Sequence, residues 1–161
     1  MAKAEFKVKG LQALQERLVK TRDALNTKLE IRLKYLGEDS ATHAKLNKGY
    51  RDRTSNLKNS ISYALYLDGQ PIHSGIGHAE QGTDAVTIAQ LDSQINENVE
   101  SFAREHVQPK GYTLIIVAGM NYGKHVEDKG YNVLYLTRYF METELKKLIQ
   151  EILDDVRNGN I

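Results

Sequence analysis

Residues 50–69 constrain this chain most: within twenty positions the backbone must leave a helix, enter a strand and reverse direction. Thr54 and Ser55 are good helix N-caps, because a side-chain hydroxyl accepts from an orphan backbone N–H. About one turn of helix fits before the apolar period becomes two. Ile61, Tyr63, Leu65 and Leu67 then share one face, and Ser62, Ala64 and Tyr66 the other, which is the pattern of a strand. Asp68-Gly69 supplies the positive-φ positions of a tight hairpin turn. Pro71 in the return arm cannot donate to a ladder, so that arm is expected at a sheet edge or to be short. A long helical pattern precedes this stretch and nearly all the remaining strand pattern follows it, so it is the joint of the fold.

The flanks complete the picture. Phe6 and Val8 alternate with polar residues and predict a short strand, broken by Gly10. From Leu11 the period is helical: Leu11, Leu14, Leu18, Leu25, Leu29, Leu33 and Leu36 fall on one stripe, supported by the i,i+4 pairs Glu16–Lys20 and Glu30–Lys34. Gly37 either ends this helix or is passed over, and Gly49 ends it in either case. Residues 73–83, with Gly75, Gly77 and Gly82, read as a loop. A second helical pattern from Asp84 to His106 places Ile88, Leu91, Ile95, Val99 and Phe102 on one side. Because it interrupts the sheet, it is expected to be an inserted arm that packs on a neighbour rather than on the home core. Thr113–Gly119 is the most apolar run and predicts a central strand buried on both faces. Residues 124–131 read as mixed strand and turn. A last helix over 136–156, with Leu145, Leu148, Ile149, Ile152 and Val156 inward, stops at Asn158-Gly159. The expected fold is α+β: a small antiparallel sheet packed against a long N-terminal helix and a C-terminal helix. It forms a single domain, 1–161, with 73–110 as a loop plus helical insertion.

Composition narrows the function. The net charge of +1 gives no global electrostatic case for nucleic acid or a membrane surface. No stretch approaches the roughly 20 apolar residues of a membrane span, and no signal peptide is expected from Met1–Gly10. The absence of cysteine excludes disulfides and thiolate chemistry. His73 and His78, with Glu80 nearby, suggest a small metal-dependent hydrolase, but their spacing is poor for zinc and solvated loop histidines are the stronger reading. His125 beside Glu127 reads as cross-strand decoration rather than a base–carboxylate pair. No nucleophile elbow, phosphate loop or HExxH occurs, so no catalytic residue, cofactor or metal is assigned. Lys45, Lys48, Arg51, Arg53 and Lys58 form a local basic cluster. As a phosphate-binding face it makes a nucleic-acid-binding accessory protein the alternative reading; a solvated basic face is preferred.

Three motifs, in order along nearly the whole chain, resemble one family. Phe6-x-Val8-x-Gly10-Leu11-x-x-Leu14-x-x-x-Leu18 is similar to the strand–Gly-Leu–helix start of the tailed-phage head–tail joining and tail-completion proteins. Thr54-x-Asn56-Leu57-x-Asn59-Ser60-Ile61 resembles that family's Thr-Gly-x-Leu-x-x-Ser-Ile box, with Ser55 where the family usually has Gly. Asn121-Tyr122-x-x-x-Val126-Glu127-x-x-Gly130 is similar to its Tyr-Ala-x-x-Val-Glu-x-Gly segment, which precedes a C-terminal helix. The resemblance implies a non-enzymatic α+β structural protein of the virion neck or tail end, made in the host cytoplasm. Such proteins close into rings on assembly and meet other neck or tail proteins. On that expectation the candidate assembly interface comprises Tyr63, Tyr66, Asp68, Gly69, Ile72, Tyr122 and Glu127.

Overall fold

The computed structural model describes residues 10–51, 56–75, 97 and 99–160. Helix α1 spans Leu11–Leu46 and is followed by a single helical turn, α2, at Asn56–Asn59. Strands β1 (Ile61–Leu67) and β2 (Gln70–Gly75) form a hairpin. A helix α3, described over 99–106, leads to β3 (Tyr112–Ala118). Helices α4 (Gly123–Asp128) and α5 (Tyr135–Arg157) complete the chain. The sheet is antiparallel in the order β2-β1-β3, so the fold is α+β with α1 and α5 on one face of the sheet and α3 on the other. The short strand at Phe6 and Val8 and the caps at Thr54 and Ser55 lie outside the described residues.

The joint folds as its sequence dictates. One helical turn ends at Asn59, β1 starts at Ile61, and Asp68 (φ 50°) and Gly69 (φ 81°) take the two left-handed positions of the turn. Asp68 also reaches across to the next strand. Its backbone N–H donates to Gly111 O at 3.0 Å, and Gly111 N–H donates to Asp68 Oδ1 at 2.8 Å. The turn thereby pins the start of β3. Pro71 sits on the edge strand β2, where its missing N–H costs no ladder bond.

β1 is the centre of the molecule, and both of its faces are buried. Leu65 packs with Leu33, Leu36, Leu148 and Ile152, and Ile61 with Ala41 and Ala44. On the other face Ala64 and Tyr66 pack with Val99, Ala103 and Ile115. The described part of α3 therefore covers the home sheet, which corrects the expectation of an arm that leaves the home core. Residues 73–75, expected to open a loop, belong to β2, and the rest of that stretch, 76–83, lies outside the described residues.

α1 runs through Gly37 without interruption, and Tyr63 gives the reason. A Cβ at Gly37 would lie 2.8 Å from Tyr63 Cγ, and one at Gly75 would lie 2.6 Å from its Cε1. The ring thus fills a slot between two glycine backbones on adjacent elements. It is 2 % exposed, and its hydroxyl donates to Glu38 Oε1 at 3.1 Å. Burial, reinforced by Glu38, pushes the Tyr63 hydroxyl pKa up to about 12.

Two expectations about the sheet and its flank are corrected. The Thr113–Gly119 run supplies most of β3, but at an edge of the sheet and not its centre, and within β3 only Ile115 is buried. β1 holds the centre because, among the described strands, it alone pairs on both sides. Residues 123–128 are helical rather than strand-like, so His125 and Glu127 are not cross-strand neighbours.

Candidate assembly surface

Three exposed features surround the free side of β3. The first is the strand edge itself, which among the described residues is paired only to β1. An unpaired row of N–H and C=O groups is a template for another strand. The second is a pair of apolar clefts along this edge. One, of ≈ 460 Å³, opens between Ile116, Val117, Phe102, Leu134, Tyr135 and Arg138. The other, of ≈ 330 Å³, opens between Tyr112, Leu114, Leu33, Met141, Leu145 and Ile149. Phe102 belongs to α3 and Tyr135–Ile149 to α5, so the edge lies between overhanging walls. The third feature is a stripe on α5, where Leu145, Ile149, Leu153 and Val156 are exposed.

The stripe exists because α5 carries too many apolar residues for one neighbour. At 100° per residue, Leu148 and Ile152 share the arc that meets α1, while the exposed four centre roughly 70° away. The α1 contact is fixed by an ion pair between Lys28 and Asp155 and by Arg32–Glu151 at 3.3 Å. The Lys28 hydrogen bond holds the Asp155 carboxyl below its usual range. Toward its N-terminus α1 outruns α5, and residues 11–24 are exposed throughout, with Leu18 at 62 %. The expected leucine stripe is thus in contact only from Leu25 onward.

The predicted interface residues are not brought together. Tyr63 and Tyr66 are buried on opposite faces of β1 and hold the fold, so neither presents a surface to a neighbour. Ile72 packs half-buried under α1. Asp68 and Gly69 form the hairpin tip, and Tyr122 is exposed before α4. Glu127 caps α5: its Oε2 accepts from Val133 N and Leu134 N, both at 2.8 Å, and its Oε1 from Tyr135 N at 3.1 Å. A carboxylate at a helix N-terminus satisfies orphan donors and opposes the helix dipole.

The two alternative sites do not assemble either. Lys45 is only 5 % exposed, so the basic cluster is not one solvated face. Lys48 is half-buried, with its ammonium 5.8 Å from the centre of the Tyr50 ring; Arg51 is exposed, and Arg53 lies outside the described residues. His73 Nε2 meets Glu30 Oε1 at 2.8 Å, tying β2 to α1. His78 and Glu80 lie outside the described residues, among which no cluster of three or more metal-binding side chains occurs.

Sequence reasoning missed Leu145, Ile149 and the outer side of β3 because it assigned the apolar residues of the last helix and of Thr113–Gly119 to the home core. The width of the apolar arc on α5 was the available signal. Among the described residues no helix is long and apolar enough to cross a membrane. No protein-family model, curated protein or solved structure matches the chain.

Proposed function

We propose that the chain is a structural component of a phage or prophage virion that works by assembly, closing into an oligomeric ring at the head–tail junction or tail end. It would be built in the host cytoplasm, dock onto other neck or tail proteins and end in the virion. The observation that carries this reading is the position of the most apolar strand, Tyr112–Ala118, at a sheet edge that is open among the described residues and flanked by apolar clefts. Monomeric proteins blunt or cover such edges, whereas this one is apolar, seven residues long and free of proline. Its surroundings combine exposed backbone donors with pockets for side chains, the elements of recognition by strand addition. A ring needs two different surfaces on each subunit. Here the β3–α5 side and the projecting end of α1 are two such surfaces. The order of the three sequence motifs supplies the virion assignment.

The test is co-assembly. Purified tail tubes or portal complexes mixed with the protein should gain a ring at one end, visible by electron microscopy. Failure to associate with either particle at saturating protein would remove the virion assignment.

A further inference from the structure

We infer that the free edge of β3 receives residues 5–9 of a second copy of this chain as a fourth strand. This rests on the reading that copies of the chain assemble with one another. The slot is built for a strand: it has an edge unpaired among the described residues, a wall of exposed Leu145 and Ile149 on α5, and Phe102 on the opposite side. A strand placed there would direct alternate side chains to the two walls. Residues 5–9, Glu-Phe-Lys-Val-Lys, have that alternation, with Phe6 and Val8 on one face and Glu5, Lys7 and Lys9 on the other.

Charge orients the strand. With Phe6 and Val8 toward α5, the lysines fall on the α3 side. On the flank of α3 that carries Phe102, Glu105 is the charged residue that Lys7 and Lys9 would meet, whereas Glu100 pairs with Arg104 and lies on the β2 side beside Pro71–Ser74. The open edge of the added strand then bears lysines, which discourage further pairing. Each copy accepts one strand and donates one, a heterologous contact of the kind that closes rings.

Reach determines which copy donates. Leu114 packs in the same cluster as Leu29. Along α1 the level of Leu29 lies about 29 Å from Gly10, at about 1.5 Å per residue. Phe6 precedes Gly10 by four residues and extends at most about 14 Å from it. A chain's own Phe6 therefore falls roughly 15 Å short of its own slot while α1 is intact. Residues 11–24, exposed throughout, instead carry the N-terminus away from the home body by about 21 Å.

The experiment replaces Phe6 with the photoreactive p-benzoylphenylalanine, mixes that chain with heavy-nitrogen-labelled unmodified chain, and illuminates it both alone and with tail tubes. The expected product in at least one condition is a covalent dimer joining the light N-terminal peptide to heavy peptides from Tyr112–Ala118 or Tyr135–Ile149. Ile149→Asp in the labelled chain should lower the dimer yield severalfold without moving its unfolding midpoint. Adducts within one light chain, adducts on other surfaces, or no adduct in either condition would overturn the inference. Binding to tail tubes without these adducts removes the strand exchange and keeps the virion assignment; adducts without any tail or neck association do the reverse.

Discussion

Gly37→Ala should destabilise the protein, although the same change in most helix interiors stabilises. An exposed helical glycine costs about 1 kcal/mol relative to alanine, so propensity alone predicts a gain of that size. At Gly37 the new methyl would stand 2.8 Å from Tyr63 Cγ and 2.9 Å from Cε2. Comfortable carbon–carbon contact is about 3.5–4.0 Å. The ring cannot retreat, because the Gly75 backbone closes its other edge and Glu38 holds its hydroxyl. Overpacking of this kind costs roughly 1–3 kcal/mol, which exceeds or cancels the propensity gain. The expected net loss is up to about 2 kcal/mol, or up to roughly 8 °C in Tm for a domain of this size. Urea unfolding followed by circular dichroism measures it. Tyr63→Leu, which empties the slot, should convert Gly37→Ala from harmful to neutral or favourable in the double mutant. A more stable Gly37→Ala single mutant would refute the slot, and additive effects of the two changes would refute their contact.

Glu127→Ala should cost about 1–3 kcal/mol, because three backbone N–H groups at the start of α5 lose an ionised acceptor; Glu127→Gln should cost less, and equal losses would dismiss the charge–dipole contribution. Tyr63 ionises at about 12 in the folded chain against about 10 unfolded, so its contribution is fully present below pH 10 and is lost as pH rises toward 12. Denaturant midpoints should fall across that window, and Tyr63→Phe should flatten part of the fall while lowering stability at pH 7 by about 1 kcal/mol. Gly69→Ala places a methyl at φ 81° and should cost about 1–2 kcal/mol, whereas Asp68→Asn, which tolerates the left-handed region, should cost less; thermal melts of the pair decide it.

The parts of the fold legible in the sequence were those governed by local chemistry. The strand Ile61–Leu67, the Asp68-Gly69 turn, the proline on an edge strand and the helix stop at Asn158-Gly159 all rest on period or on φ preference. What was illegible depends on which strand pairs with which. Tyr112–Ala118 is more apolar than β1, yet β1 is central, because only the hairpin and the return of β3 together decide who has two partners. Glu127 shows the same limit at the candidate site. Its motif placed it correctly before the C-terminal helix, but its task, capping that helix, appears only when α4 and α5 are seen to turn back on each other. His43 was equally unreadable: its Nδ1 lies 3.1 Å from the buried Thr137 hydroxyl and its ring stacks on Phe140 at 4.4 Å, joining α1 to α5 across ninety-four residues.

Hydrogen exchange of the protein alone and bound to tail or portal complexes tests the central claim most directly. In the isolated chain, the amides of Tyr112–Ala118 that point away from β1 should exchange quickly. On assembly, protection should rise there and along Leu145–Val156, with little change in β1. Protection confined to the β2 edge or to Lys45–Lys58, with β3 unchanged, would contradict the account.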